Sequence, residues 1–197
     1  MTFRLGLTGS IGMGKSTTAH MFAEAGCAVW DADAAVHRLY SSGGAAVAPI
    51  AAEFPNAIRD GTVCRDVLKS IIQDDPQALG RIENIVHPLV LEDRAGFLAT
   101  ANADVTVLDI PLLFETGADA DMDATVTVTT SAAQQRQRVL ARGTMTEAQF
   151  DAIVAKQMPD AEKRTRADYV IETDTLEHAR AQVQTVLADI EKTRHHA

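Results

Sequence analysis

The chain has 197 residues, a formal net charge of −9 and 46% hydrophobic residues, with aromatics at only 5%. That length suits one α/β domain with a helical insertion, and Leu, Ile, Val and Met must fill its core. The acidic balance, with no long run of Lys or Arg, argues against a nucleic-acid partner. No apolar stretch has the length of a membrane span or the pattern of a secretory leader, so the expected home is the cytoplasm.

In chain order, Phe3 to Thr8 reads as a buried strand and Thr17 to Ala25 as a helix. Between them, Gly9-Ser10-Ile11-Gly12-Met13-Gly14-Lys15-Ser16 satisfies G-x-x-x-x-G-K-[ST] in the strand-to-helix context the motif requires. Backbone N–H groups of such a loop turn inward to cradle phosphate oxygens, and the helix N-terminus adds its positive end. Gly9, Gly12 and Gly14 are expected where positive φ or close backbone approach excludes a Cβ. Ser10 to Thr17 thus form the nucleotide-binding run. Within it Lys15 reaches the β- and γ-phosphates, and the Ser16 hydroxyl holds Mg²⁺.

A second short strand, Gly26 to Trp30, runs into Asp31-Ala32-Asp33, a carboxylate pair where α/β sheets place ligands. Asp31 reads equally as a ligand or as the N-cap of a helix over Ala32 to Tyr40; Asp33 is the candidate catalytic carboxylate. After a turn at Ser41 to Gly44 come a helix to Phe54, a loop over Pro55 to Gly61, and a helix opened by Arg65. A long helical stretch follows from Gln77 toward Ala101, with Pro88 predicting a kink or break at His87. No strand signal stands out between Asp33 and Asp104, which predicts a helical insertion suited to holding an acceptor.

Asp104 to Ile110 is a strong buried-strand signal carrying Asp109, the expected carboxylate partner of a phosphate loop, assisting Mg²⁺ or its water. Pro111-Leu112-Leu113-Phe114-Glu115 follows as a loop, then a β-branched strand over Ala124 to Val128. Ser131 caps a helix to Arg142, and Thr146 with Gln149 forms a capping box for the next, ending near Gln157-Met158-Pro159. Two helices joined at Gly143-Thr144, with an Arg beside the joint, look like a lid over nucleotide phosphates. Lys163, Arg164 and Arg166 precede a last strand over Ala167 to Ile171, and a closing helix runs from Leu176 to Thr193. Cys27 and Cys64 have no metal spacing, and His178, His195 and His196 read as surface residues. Alternating strands and helices predict a three-layer α/β fold, a parallel sheet flanked by helices. A GTP-dependent switch would need an Asn-Lys-x-Asp element, and no Asn-Lys pair occurs.

Several segments together resemble the dephospho-CoA kinases, across nearly the whole chain and in the right order. They are Gly6 to Thr17, Asp31-Ala32-Asp33, Asp60-Gly61 with Arg65, Ile85-Val86-His87-Pro88, Asp109 to Glu115, Gln135 with Arg138 and Arg142, Gln157, and Ala167-Asp168. The His-Pro and Pro-Leu-Leu-Phe-Glu elements discriminate far better than the phosphate loop, which many families share. A kinase acting on a nucleoside monophosphate or on a shikimate-like acceptor would not be expected to carry both. The resemblance implies a P-loop kinase core over about 1–33, 104–130 and 167–197, a helical acceptor-binding region over about 34–103, and a lid over about 131–166. It implies ATP as donor with Mg²⁺, dephospho-CoA as acceptor at its ribose 3′-hydroxyl, and a monomer or weak homo-oligomer. By position, Asp33 corresponds to the general base, Thr8, Arg65, His87 and Leu112 to acceptor-site residues, and Arg142 to a lid cation near the phosphates. One segment departs: where the family usually has Asn followed two residues on by Gly, this chain has Glu172-Thr173-Asp174-Thr175.

Overall fold

A computed structural model describes residues 2–195, which leaves His196 outside the described residues and the side chain of His195 undescribed. The chain divides into two compact units, Met1–Val29 with Ala101–Ala197, and the continuous Trp30–Thr100.

The first unit is organised on a five-stranded sheet of order β2-β5-β1-β6-β7, built from β1 (Phe3–Thr8), β2 (Ala28–Asp31), β5 (Val105–Asp109), β6 (Ala124–Thr129) and β7 (Tyr169–Glu172). The β1–β5, β1–β6 and β6–β7 pairs are parallel. A strand covered on both faces reads as a continuous apolar run, and β5 is buried at every residue. Leu5, Leu7, Val107, Val126, Val128 and Ile171 form the core together with Met21 and Phe22 of α1 (Lys15–Glu24) and Val183, Val186 and Ile190 of α9 (Leu176–His195). The register sets Leu7 level with Asp109, so the chain leaving β1 emerges beside the carboxyl end of β5. None of the helices is long and apolar enough to cross a membrane among the described residues.

Three further helices of this unit follow β6: α6 (Ala132–Ala141), α7 (Glu147–Lys156) and α8 (Asp160–Arg166). The capping box at Thr146 and Gln149 forms as its spacing dictates, both reciprocal bonds being present. Arg136 pairs with Glu147 and Asp151 and lies 5.5 Å from the Phe150 ring centroid, so it ties α6 to α7. α8 forms from the charged run ahead of the last strand. Its signals are local: Pro159 precedes it, Asp160 and Glu162 sit in its first turn, and its three cations fall in the last, complementing the helix dipole.

The second unit packs α2 (Ala32–Tyr40), α3 (Val47–Glu53) and α4 (Arg65–Asp74) against α5 (Ala78–Thr100), around Leu39, Ile50, Phe54, Leu68, Ile82 and Val86. Two expectations are corrected here. Of the kink or break expected at His87, the break does not occur: α5 runs through Pro88 for 23 residues. The missing N–H costs one bond, while Ile82 and Val86 before it are buried in the core and Leu89 and Val90 beyond it pack against that core, holding both halves in one helix. Strand pairing also occurs where none was expected: β3 (Ile58–Arg59) and β4 (Thr62–Val63) form a small antiparallel hairpin. Its turn places Asp60 and Gly61 at φ 48° and 72°, the double positive φ of a type I′ turn that Asp-Gly favours. Strands of two residues are too short to show alternation. Trp30 is 3% exposed, and its indole donates to Asp93 Oδ1 at 2.7 Å, a carboxylate that Arg38 also binds. Hydrogen bonding from Arg38, with a contribution from Trp30, outweighs partial burial and holds the Asp93 carboxyl below its usual range.

Candidate active site

The loop leaving β1 makes a tight turn in which the Ser10 carbonyl accepts from Met13 N–H at 3.1 Å. Gly12 and Gly14 hold φ of 77° and 93°, as expected for a left-handed path. Gly9 is required for a different reason than positive φ. A Cβ there would meet Val128 Cγ2 at 2.4 Å, so the loop lies against β6 too closely for any side chain. Lys15 and Ser16 then open α1 directly after Gly14, so the loop runs into that helix's N-terminus.

Lys15 Nζ is paired with Asp109 Oδ1, and the Asp109 side chain is only 1% exposed. The two residues that motif and strand end nominated independently are therefore brought together. Ser16 and Thr17 are exposed in the first turn of α1. Among the described residues no group of three or more His, Cys, Asp or Glu side chains could hold a metal. The oxygens at hand are the Ser16 hydroxyl and the Asp109 carboxylate, a donor set that fits Mg²⁺, which takes one or two protein oxygens and draws the rest from phosphates and water.

Side chains outside the motif fasten the loop. At Ile11 the N–H donates to Gln157 Oε1 at 3.0 Å, and the carbonyl accepts from Gln135 Nε2 at 2.8 Å. Thr173 Oγ1 donates to the Met13 carbonyl at 2.7 Å, and Arg138 holds Thr173 through its hydroxyl at 3.0 Å and its carbonyl. Thr173 belongs to the stretch that departs from the family pattern, and here it buttresses the loop. No local pattern announces Gln135, Gln157 or Thr173 as a support of the loop, because each acts across more than 120 residues of chain.

A cavity of about 220 Å³ opens beside the loop, lined by Gly12, Gly14, Thr17, Arg138, Arg142 and the Thr173–Leu176 turn among others. Arg142, at the C-terminus of α6, is exposed and contributes to that lining. Thr8 is fully buried and donates to the Pro111 carbonyl at 3.0 Å, while Leu112 in the following turn is 43% exposed. The remaining nominated residues lie in the second unit. Asp31 accepts from Ala34 N–H at 2.8 Å and so is the N-cap of α2, leaving Asp33 exposed in that helix's first turn. Arg65 begins α4 with its guanidinium 5.6 Å from the Tyr40 ring centroid, and His87 is exposed on α5.

A glycine-rich loop between a central parallel strand and a helix, with its lysine set against a strand-end aspartate, defines a P-loop protein that binds a nucleoside triphosphate. The family model for dephospho-CoA kinase matches residues 3–178. A dephospho-CoA kinase of Ruegeria pomeroyi is 67% identical over the whole of both chains. A solved structure from Thermus thermophilus superposes with a TM-score of 0.86 at 32% identity, covering 95% of this chain and 97% of that one. A dephospho-CoA kinase structure from Campylobacter jejuni gives 0.72 at 22% identity, covering 98% and 100%, and so shares the fold. The chain belongs to the dephospho-CoA kinase family.

Proposed function

We infer that the chain transfers the γ-phosphoryl group of ATP to the ribose 3′-hydroxyl of dephospho-CoA, giving coenzyme A and ADP. The observation that carries this is the Lys15–Asp109 pair beneath the glycine-rich loop, in a chain of this family. Phosphoryl transfer asks mainly for alignment and charge stabilisation. Loop N–H groups and Lys15 are assigned to the donor phosphates, and Arg142 to the charge that develops on the transferred group. Asp109 keeps the ammonium of Lys15 in place until a polyphosphate of higher charge competes for it. Ser16 and Asp109 are the residues assigned to Mg²⁺, which when bound neutralises charge on the β- and γ-oxygens.

Asp33 is assigned to the acceptor hydroxyl, orienting it by a hydrogen bond and taking its proton as the new P–O bond forms. Its exposure leaves the carboxylate open to a ligand. Arg65 and His87, cations or donors in an otherwise acidic chain, are assigned to the acceptor's own phosphates, and Thr8 and Leu112 to the acceptor side of the first unit. The Trp30–Thr100 unit then serves as the acceptor-binding region and residues 131–166 as a lid. The formal charge of −9 opposes a nucleic-acid partner. Action in the cytoplasm as a monomer or weak homo-oligomer completes the reading.

An ATP-coupled assay of dephospho-CoA against adenosine and AMP, with the product's phosphate position determined, tests it. ADP release that requires dephospho-CoA and yields the 3′-phosphate is expected; no such dependence overturns the reading. Asp33→Asn is expected to lower kcat at saturating substrate by about 10²- to 10⁴-fold, and near-normal turnover would remove Asp33 from the role of base.

A further inference from the structure

One fully buried charge has no place in the chemistry described so far. The Lys163 side chain in α8 is 0% exposed, and its Nζ stands 2.8 Å from Glu115 Oε1 and 3.4 Å from the Pro111 carbonyl. Burying an ammonium is expensive unless it is paired and hydrogen-bonded, and a site needing only bulk is served as well by Met or Leu. What this ammonium binds is one short segment. The Pro111 carbonyl also accepts from Thr8, Leu113 is fully buried, and Arg166, three residues beyond Lys163, lies 4.7 Å from the Phe114 ring centroid. Glu115 Oε1 accepts in addition from the N–H of Met158, immediately after Gln157, whose side chain holds Ile11 of the phosphate loop. α8 is itself moored to the sheet by Thr129 donating to Asp160 at 2.8 Å.

We propose that Lys163 is a positioning residue for the transfer reaction: through Glu115 and the Pro111 carbonyl it fixes the segment that follows Asp109 and carries Leu112, and joins that segment to the end of α7. This rests on the phosphoryl-transfer reading above. Lysine offers three donors in any direction and no acceptor, so it can bridge a carboxylate and a carbonyl that a planar guanidinium would force apart. The residues assigned to the donor lie on the loop between β1 and α1 and at Arg142, whereas the Lys163 ammonium bonds to Glu115 and the Pro111 carbonyl. Its route to the phosphate loop is indirect, through the Met158 backbone and the Gln157 side chain. Lys163 binds the Leu112-carrying segment itself, so loosening this link is expected to act mainly on the acceptor side. Glu115 is pulled in two directions: partial burial raises its carboxyl, but hydrogen bonds from Lys163 and from backbone N–H groups more than offset this and leave it below the usual range.

The test separates positioning from plain stability by comparing Lys163→Met with the double variant Lys163→Met/Glu115→Gln. The single variant strands a half-buried carboxylate. The double variant removes that charge yet keeps an amide oxygen for the Met158 N–H. We expect the single variant to lower the thermal midpoint and the double variant to regain most of it. In both, kcat/KM for dephospho-CoA stays down by roughly ten- to a hundredfold, as a displaced reacting segment entails, while KM for ATP stays within about twofold. Recovery of wild-type kcat/KM along with stability in the double variant overturns the proposal, as does an equal rise of both KM values. Should Lys163→Met fail to fold, Glu115→Asp keeps both charges and shortens the link by one methylene. It must depress the same kcat/KM, and unchanged constants overturn the proposal. Wild-type protein lacking dephospho-CoA-dependent ADP release would instead overturn the functional reading, which the wild-type control reveals separately.

Discussion

At the scale of single residues, Lys15 carries the sharpest expectation. Its ammonium is 15% exposed and faces a carboxylate that is almost wholly buried, so its charge acts through a medium that screens it little. Replacing it with Met removes a charge-stabilising contact of the developing phosphoryl group, a loss of about 4 kcal/mol or roughly a thousandfold in kcat. Steady-state kinetics measure it, with a melting curve alongside because Asp109 loses its ammonium in the same substitution. How legible such residues were in the sequence depends on whether their reasons are local. Lys15, Ser16, Gly12 and Gly14 were readable because motif spacing encodes phosphate geometry directly. Gly9 was readable as essential, but its reason is Val128 on a neighbouring strand, which no spacing reveals. Thr173, Gln135 and Gln157 were invisible as supports because a polar side chain that fastens a distant carbonyl looks like any other polar side chain.

At the scale of elements, strands and capped helices followed from pattern, whereas the shortest and the proline-bearing elements did not. α5 shows why: propensity counts the missing N–H of Pro88, but Ile82, Val86 and Leu89 supply packing that propensity does not see. The same helix carries Asp93, the anchor for α2 through Arg38 and for the end of β2 through Trp30. Its folded-state carboxyl is held below the unfolded value. The stability it contributes is therefore complete above about pH 4 and fades as pH falls through the lowered folded value. Asp93→Asn is expected to destabilise the Trp30–Thr100 unit by about 1 kcal/mol at pH 7, a modest figure because Arg38 is largely exposed. The gap from wild type should narrow at a second pH below about 4, as the lowered Asp93 carboxyl takes up its proton. Trp30, the chain's one tryptophan, reports this through its fluorescence in urea titrations at the two pH values.

At the scale of the whole molecule, the assigned chemistry is divided between the two units. Donor residues fall within Met1–Val29 and Ala101–Ala197, while Asp33, Arg65 and His87 fall within Trp30–Thr100. Kinetic constants should divide the same way. Arg65→Ala and His87→Ala are each expected to raise KM for dephospho-CoA about ten- to a hundredfold, the value of a charge-assisted hydrogen bond of roughly 1.5–3 kcal/mol. KM for ATP should stay within about twofold, as a full titration of each substrate against saturating levels of the other would establish. The acidic composition said only that positive charge had to be concentrated locally. Which cations those are came from the His-Pro and Arg65 elements by resemblance, since composition carries no addresses.

The second unit is a single uninterrupted stretch placed between β2 and β5, two strands that lie side by side in the sheet. This has a consequence for how the chain reaches its native state. The core of that unit, from Leu39 to Val86, is assembled entirely from residues already synthesised before β5 leaves the ribosome. A loop of more than seventy residues must be closed before β5 can join the sheet beside β2. Closing it across a stretch that has already collapsed on its own core costs less chain entropy than closing it across an open coil. The helices assigned to the acceptor thereby also shorten the search that completes the sheet.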